Sequence, residues 1–296
     1  MTSTMMSSIS TLAAVPDQRP SLTRFSLVRT LLAVAAVCIP VALVLIVAAN
    51  ISDKSLRLHW PPLLAALLGL GGYLLYVRRI ERRQATELAL AGWGREALTG
   101  AALGTLLFLV ALGLIAAAGN YHVSGIGSWQ AVAKSVTEML FVATVEEVLF
   151  RAVLFRIPER SIGTWPALIL SSAIFALAHL PNHDITVLAL ATTALAGVLF
   201  TGAYLVTRRL WLPIGLHFAW NFVSSGVLSL PTSGNPARGL LQGSLSGPEW
   251  LTGGAYGVEG SLVTLVLFAG ASALLLRRAA GAGHLLSRAA VRGVQA

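Results

Sequence analysis

The feature that most narrows the possible folds is a succession of apolar runs, each close to the roughly 20 residues a helix needs to cross a bilayer. Eight follow one another, at 30–49, 60–77, 97–118, 131–155, 163–180, 185–206, 211–230 and 258–276. None shows the alternating polarity, in segments of about 10 residues, that marks the strands of a lipid-embedded barrel. Charged residues make up 11% of the chain, against about 25% in ordinary soluble proteins, so no conventional water-facing surface can be built. The expected fold class is all-α: a polytopic membrane helix bundle of about eight transmembrane helices.

Charge then orients the bundle. With the N-terminus placed in the cytoplasm, sixteen Lys and Arg residues fall on the cytoplasmic side, including the pairs Arg78-Arg79, Arg82-Arg83, Arg208-Arg209 and Arg277-Arg278. Only Lys54, Arg57, Lys134 and Arg238 fall opposite, and Arg151 lies inside a run. Such an asymmetry predicts cytoplasmic N- and C-termini. It also explains the net charge of +9 as a topology signal, with the lipid bilayer as partner and no nucleic acid. Residues 1–29, rich in Ser and Thr with no apolar stretch, are expected to be a disordered cytoplasmic tail. The bundle covers 30–278 with a catalytic core at about 131–230, and 279–296 form a second cytoplasmic tail. Gly, Ser and Pro throughout 231–257 read as a loop. Pro40 inside the first run predicts a kink whose freed carbonyl a neighbouring helix satisfies.

Polar residues within the runs carry the functional signal. A charged side chain at a span centre costs roughly 2.5–3.5 kcal/mol on insertion scales, so Glu146, Glu147 and Arg151 in the fourth run must be paired or hydrated. Glu147 and Arg151 stand four apart, acid before base, and read as a structural ion pair. Glu146 lies about 100° round the helix, has no basic partner three or four residues away, and is the carboxylate free for chemistry. Glu138 pairs with Lys134 near the outer end. The fifth run ends in Phe175-x-x-x-His179, and the seventh carries His217-x-x-x-Asn221, which stacks an imidazole and a carboxamide on one helical face.

Two chemistries suit this set. A carboxylate and a histidine can take a proton from water and return it to a leaving amine, while imidazole and amide N–H groups stabilise the oxyanion of a tetrahedral intermediate. Alternatively, Glu146, His179 and His217 are the ligand types of a three-ligand catalytic site for a divalent metal such as zinc. On the residues alone both remain open. The helix-borne His-Glu-x-x-His motif is absent, Ser225-Gly226 lacks the preceding glycine of a serine nucleophile pattern, and Asp17, Asp53 and Asp184 lie outside span centres.

Taken in order on three separate apolar segments, Glu146-Glu147-x-x-x-Arg151, Phe175-x-x-x-His179 and His217-x-x-x-Asn221 resemble the CAAX protease and bacteriocin-processing family of intramembrane endopeptidases. The resemblance spans roughly 131–230, and Gly257-Val-Glu259-Gly-Ser261 is similar to a recurrent family ending. It implies an eight-helix bundle with a polar cavity open to the cytosol. It further implies Glu146 and His179 as the pair that activates water, Glu147, Arg151 and Phe175 as supporting residues, and His217 with Asn221 as oxyanion stabilisers. The implied activity is hydrolysis of a peptide bond in a protein or peptide substrate at the membrane, by a glutamate-dependent or a metal-dependent route. Glu259 itself reads locally, as an acid at a helix N-terminus. The preference for Ala, Leu and Arg over Lys points to a bacterial plasma membrane. A non-catalytic immunity, resistance or scaffolding protein of the same fold is the alternative, and a proton-coupled transporter the third.

One difficulty is geometric. At 1.5 Å per residue from the cytoplasmic ends, His217 lies about 9 Å deep, Glu146 about 15 Å and His179 about 24 Å, so straight upright helices do not bring them level. Tilt or a re-entrant end is required.

Overall fold

The computed structural model describes residues 25–287. The expected N-terminal tail therefore lies outside the described residues up to residue 24, and the C-terminal one from 288 onward. Each of the eight apolar runs is a helix. They are α1 (Ser26–Ala49), α2 (Trp60–Tyr76), α3 (Trp93–Ala117), α4 (Trp129–Glu147), α6 (Thr164–Ala178), α7 (Val187–Thr207), α8 (Trp211–Phe222) and α10 (Leu262–Gly281), with short α5 (Arg156–Ile162) and α9 (Glu249–Thr252) between them. Both expected tails were drawn too long, because α1 already begins at Ser26 and α10 continues to Gly281. The stretch 231–257 is more than a loop. It supplies α9 and the strand β2 (Leu241–Leu245), which pairs antiparallel with β1 (Tyr121–Ile126).

Large apolar side chains face outward along several helices, among them Leu43, Leu67, Leu106, Ile169 and Leu274. A soluble monomer rarely exposes so much apolar surface; lipid is the solvent that suits it. Five helical stretches are long and apolar enough to cross a membrane: Ser26–Ala49, Lys54–Glu81, Trp93–Ala117, Val187–Thr207 and Leu262–Gly281. The helices outside this group include α4, α6 and α8, which carry the polar set.

Close approach through small residues fixes the neighbours of those helices. A Cβ at Gly100 would stand 2.1 Å from the Leu212 carbonyl oxygen, one at Gly104 2.3 Å from that of Leu216, and one at Gly215 2.1 Å from that of Ala97. So α3 and α8 touch backbone to backbone, as membrane helices do at small-residue seams. Pro40 sits within an unbroken α1, and the carbonyl it frees, that of Ala36, is covered by α2. A Cβ on Gly72 would lie 1.9 Å from that oxygen.

At the arginine-rich end, an ion network ties the α2–α3 connection to α5. Arg83 bonds Glu81 at 2.7 Å and Glu87 at 2.6 Å, Arg156 reaches Glu81 at 2.9 Å, and Arg208 reaches Glu159 at 2.6 Å. The Tyr73 hydroxyl also donates to Glu87.

Candidate active site

Two helices change pitch where the polar residues lie. After Glu147, α4 widens into a π-helical turn over Val148–Val153, and after Phe222, α8 does the same over Val223–Val227. Such turns shift the facing of successive side chains and recur at functional sites. Between them, α6 has only 15 residues, about 22 Å at 1.5 Å per residue, so its end stops short of a full crossing. His179 is the C-cap of this helix with its ring folded back toward the last turn, and packing of the three helices still brings it to the same cavity as Glu146 and His217.

Glu147 is fully buried and accepts two hydrogen bonds on Oε1, from Arg151 at 3.0 Å and from His217 Nδ1 at 2.8 Å. The sequence reading saw only the first. Arg151 is also fully buried, with its guanidinium carbon 4.9 Å from the Phe175 ring centre and 5.0 Å from that of Phe200. A second guanidinium nitrogen donates to the Gly197 carbonyl at 3.3 Å. The charge thus has an aromatic enclosure as well as a carboxylate. Phe200 in turn stacks on the His217 ring, centroids 4.5 Å apart and planes 14° from parallel.

These bonds decide which nitrogen of each imidazole is available. His179 Nδ1 lies 2.8 Å from the Phe175 carbonyl oxygen, which cannot donate, so Nδ1 carries the proton and Nε2 is left for other work. By the same logic His217 Nδ1–H donates to Glu147. Its Nε2 stands 4.0 Å from Glu146 Oε2, and any positive charge on His217 faces one carboxylate on each side. Glu146 Oε2 is buried without a hydrogen-bond partner among the described residues.

Glu146, His179, His217 and Asn221 all line one cavity of about 880 Å³. A second, narrow cleft of about 20 Å³ adjoins it behind His179, His217 and Asn221, room for about one water molecule. Glu259 lines this cleft, which corrects its expected role. The side chain that caps α10 is Ser261, whereas the Glu259 carboxylate accepts the backbone N–H of Ser233. Phe200 and Glu259 were the residues sequence reasoning missed. Phe200 is one apolar residue in an apolar span and gives no signal, while Glu259 sits in the ending motif and could have been flagged. Lys134 and Glu138 pair at 2.9 Å in partial exposure, as expected.

A metal would need three ligands converging on one point. Among the described residues no group of three His, Cys, Asp or Glu side chains does so, although the Nδ1 bonds of His179 and His217 leave both Nε2 atoms free.

The cavity extends toward one end of the bundle. Its other walls are Lys134, Ser135 and Glu138 on the first half of α4, Asn182 beyond α6, and Thr232 to Arg238. All lie at the end of the bundle away from the arginine pairs.

Residues 128–223 match a family model described as Type II CAAX prenyl endopeptidase Rce1-like. No curated protein and no solved structure matches the chain. The matched stretch, about a third of the chain, opens at Ser128, the N-cap of α4, and closes two residues beyond Asn221. It therefore encloses Glu146, Glu147, Arg151, Phe175, His179, His217 and Asn221. Over this stretch, on a membrane helix bundle that gathers those side chains, the chain is similar to the CAAX-type endopeptidases.

Proposed function

We propose that the protein hydrolyses peptide bonds inside the large cavity, with a water activated by Glu146 and His179. The observation that carries this reading is the lining of one 880 Å³ space by Glu146, His179, His217 and Asn221 from three helices. Water gives a proton to the Glu146 carboxylate while its other hydrogen is held by His179 Nε2. Its oxygen attacks the scissile carbonyl carbon. The resulting oxyanion is met by the Asn221 amide N–H and by the protonated form of His217, which presents Nε2–H while its Nδ1–H stays on Glu147. Collapse breaks the C–N bond as Glu146 returns the proton to the departing amine, leaving a carboxylic acid and an amine.

The same reading takes the eight apolar segments as membrane-embedded, α6 without a full crossing of its own, with both termini cytoplasmic, supported by the clustering of the arginine pairs at one end, and places the protein in a bacterial plasma membrane. The substrate is a protein or peptide at that membrane. The route is glutamate-dependent, supported by the Glu146 carboxylate, which lines the cavity with its Oε2 unpartnered among the described residues.

Replacing Glu146 with Gln or His179 with Ala is expected to lower cleavage by about 10²–10⁴-fold at equal membrane abundance, and chelators to leave it unchanged. Cleavage by both variants at the wild-type rate would favour the non-catalytic scaffold, and loss of activity on chelation restored by zinc would favour the metal route.

A further inference from the structure

The cavity is closed toward one end of the bundle and lined by exposed groups toward the other, opposite to the expected direction. Toward the arginine-rich end it is closed by packed groups. Glu147 and Arg151 are fully buried, Phe150, Phe155 and Val153 are buried around them, and the network of Arg83, Arg156, Glu81 and Glu87 lies beyond. Toward the other end α4 packs on α2 and α8 but makes no comparable contact with α6. The gap between α4 and the end of α6 is the cleft.

Its mouth is built, not merely open. The Asn182 side chain donates to the Ser233 carbonyl at 2.9 Å, Gly234 N–H donates to Tyr256 at 2.9 Å, and Glu259 accepts from Ser233 N–H. Gly234 holds a left-handed backbone with the His183 carbonyl 2.0 Å from where a Cβ would stand. The rim carries Lys134 with its partner Glu138, and Arg238, while Met139, Phe141, Val142 and Phe150 give the interior apolar walls. A polar rim leading to an apolar trough with a few placed polar groups is what an extended peptide segment would need.

Positively charged loops remain in the cytoplasm. Arg78, Arg79, Arg82, Arg83, Arg95, Arg156, Arg160, Arg208, Arg209, Arg277 and Arg278 all lie at the closed end, and Lys134 and Arg238 at the open one. Resting on the hydrolytic reading above, we infer that the cleft opens on the extracytoplasmic face. Its substrates are extended peptide segments presented there, the outer loops and ends of membrane proteins or peptides outside the membrane, in place of cytosolic C-termini.

Cysteine labelling tests the face directly. In a full-length Cys38→Ser background, Ala237→Cys in the cleft wall, Arg238→Cys at its rim and Arg278→Cys at the arginine end are treated with a membrane-impermeant maleimide on intact cells. Arg238 and Arg278 are exposed, so their replacement leaves packing intact. Labelling of positions 237 and 238 on intact cells, with position 278 labelled only after permeabilisation, is the expected result; the reverse pattern overturns the inference. Newly formed peptide termini are then compared between wild-type and Glu146→Gln cells. Wild-type-specific termini should map to extracytoplasmic segments, and termini confined to cytoplasmic segments would overturn the substrate class. No wild-type-specific termini at all would instead defeat the hydrolytic reading, while the labelling pattern would still decide the face.

Discussion

Glu147 shows how one buried carboxylate can serve two partners. Its Oε1 compensates Arg151 and fixes His217 through Nδ1, so ion pair and imidazole orientation are not separable functions. Removing one partner of a buried pair typically costs about 3–5 kcal/mol because the other charge is stranded. Glu147→Gln should therefore lower the thermal unfolding midpoint strongly, and Glu147→Gln with Arg151→Met should recover most of it. Turnover in the double variant should nonetheless stay depressed by roughly 10² or more, because a neutral amide no longer supports charge on the imidazole, as in hydrolytic triads whose carboxylate is replaced. A double variant that is both stable and fully active would reduce Glu147 to a structural role. At this scale the sequence was informative but incomplete. Helical spacing makes the Glu147–Arg151 pair readable, whereas the bond to His217, 70 residues away, depends on how α4 and α8 are packed and leaves no local trace.

At the scale of elements, the position of His217 and Asn221 rests on the glycine seam between α3 and α8. Gly104→Ala would set a methyl 2.3 Å from the Leu216 carbonyl, and overpacking of this kind costs about 1–3 kcal/mol. Because a 1 Å displacement of a reacting group can lose about 10²-fold in rate, this variant should lose activity along with stability. Gly113→Ala, on the same helix with nothing within 4 Å, should be neutral in both assays. Equal behaviour of the two would remove the seam as the positioning device. The end network gives a second test. Burial pushes the Glu87 carboxyl up, but hydrogen bonds from Arg83 and the charge of Arg156 outweigh it and bring the group from 4.5 down to about 2. A carboxyl lowered on folding contributes stability above its unfolded value and loses it as pH falls through the folded one. The unfolding midpoint should therefore drop between about pH 4.5 and 2, and Glu87→Gln should flatten that limb. The eight helices were legible from apolar run length. The π-helical turns, the early end of α6 and the β1–β2 pair were not, because each is set by contacts between segments distant in the chain.

For the whole molecule, the polar set occupies helices that are not among the five most suited to crossing lipid. Outward apolar side chains come from α6 as well as from the longer helices, and α4, α6 and α8 give up regularity or length to enclose a cavity with ionisable walls. The arginine pairs cluster at the end where that cavity is closed by packed groups. Sequence could place the arginines but could not place the mouth, since the separation of α4 from α6 appears only when the helices are packed. The most direct test compares peptide termini in the membrane fraction of cells expressing wild-type protein, Glu146→Gln or neither, with the two proteins at matched levels. Termini found with wild type and absent from the other two samples are the predicted result, and an identical set with Glu146→Gln would contradict hydrolysis by this site.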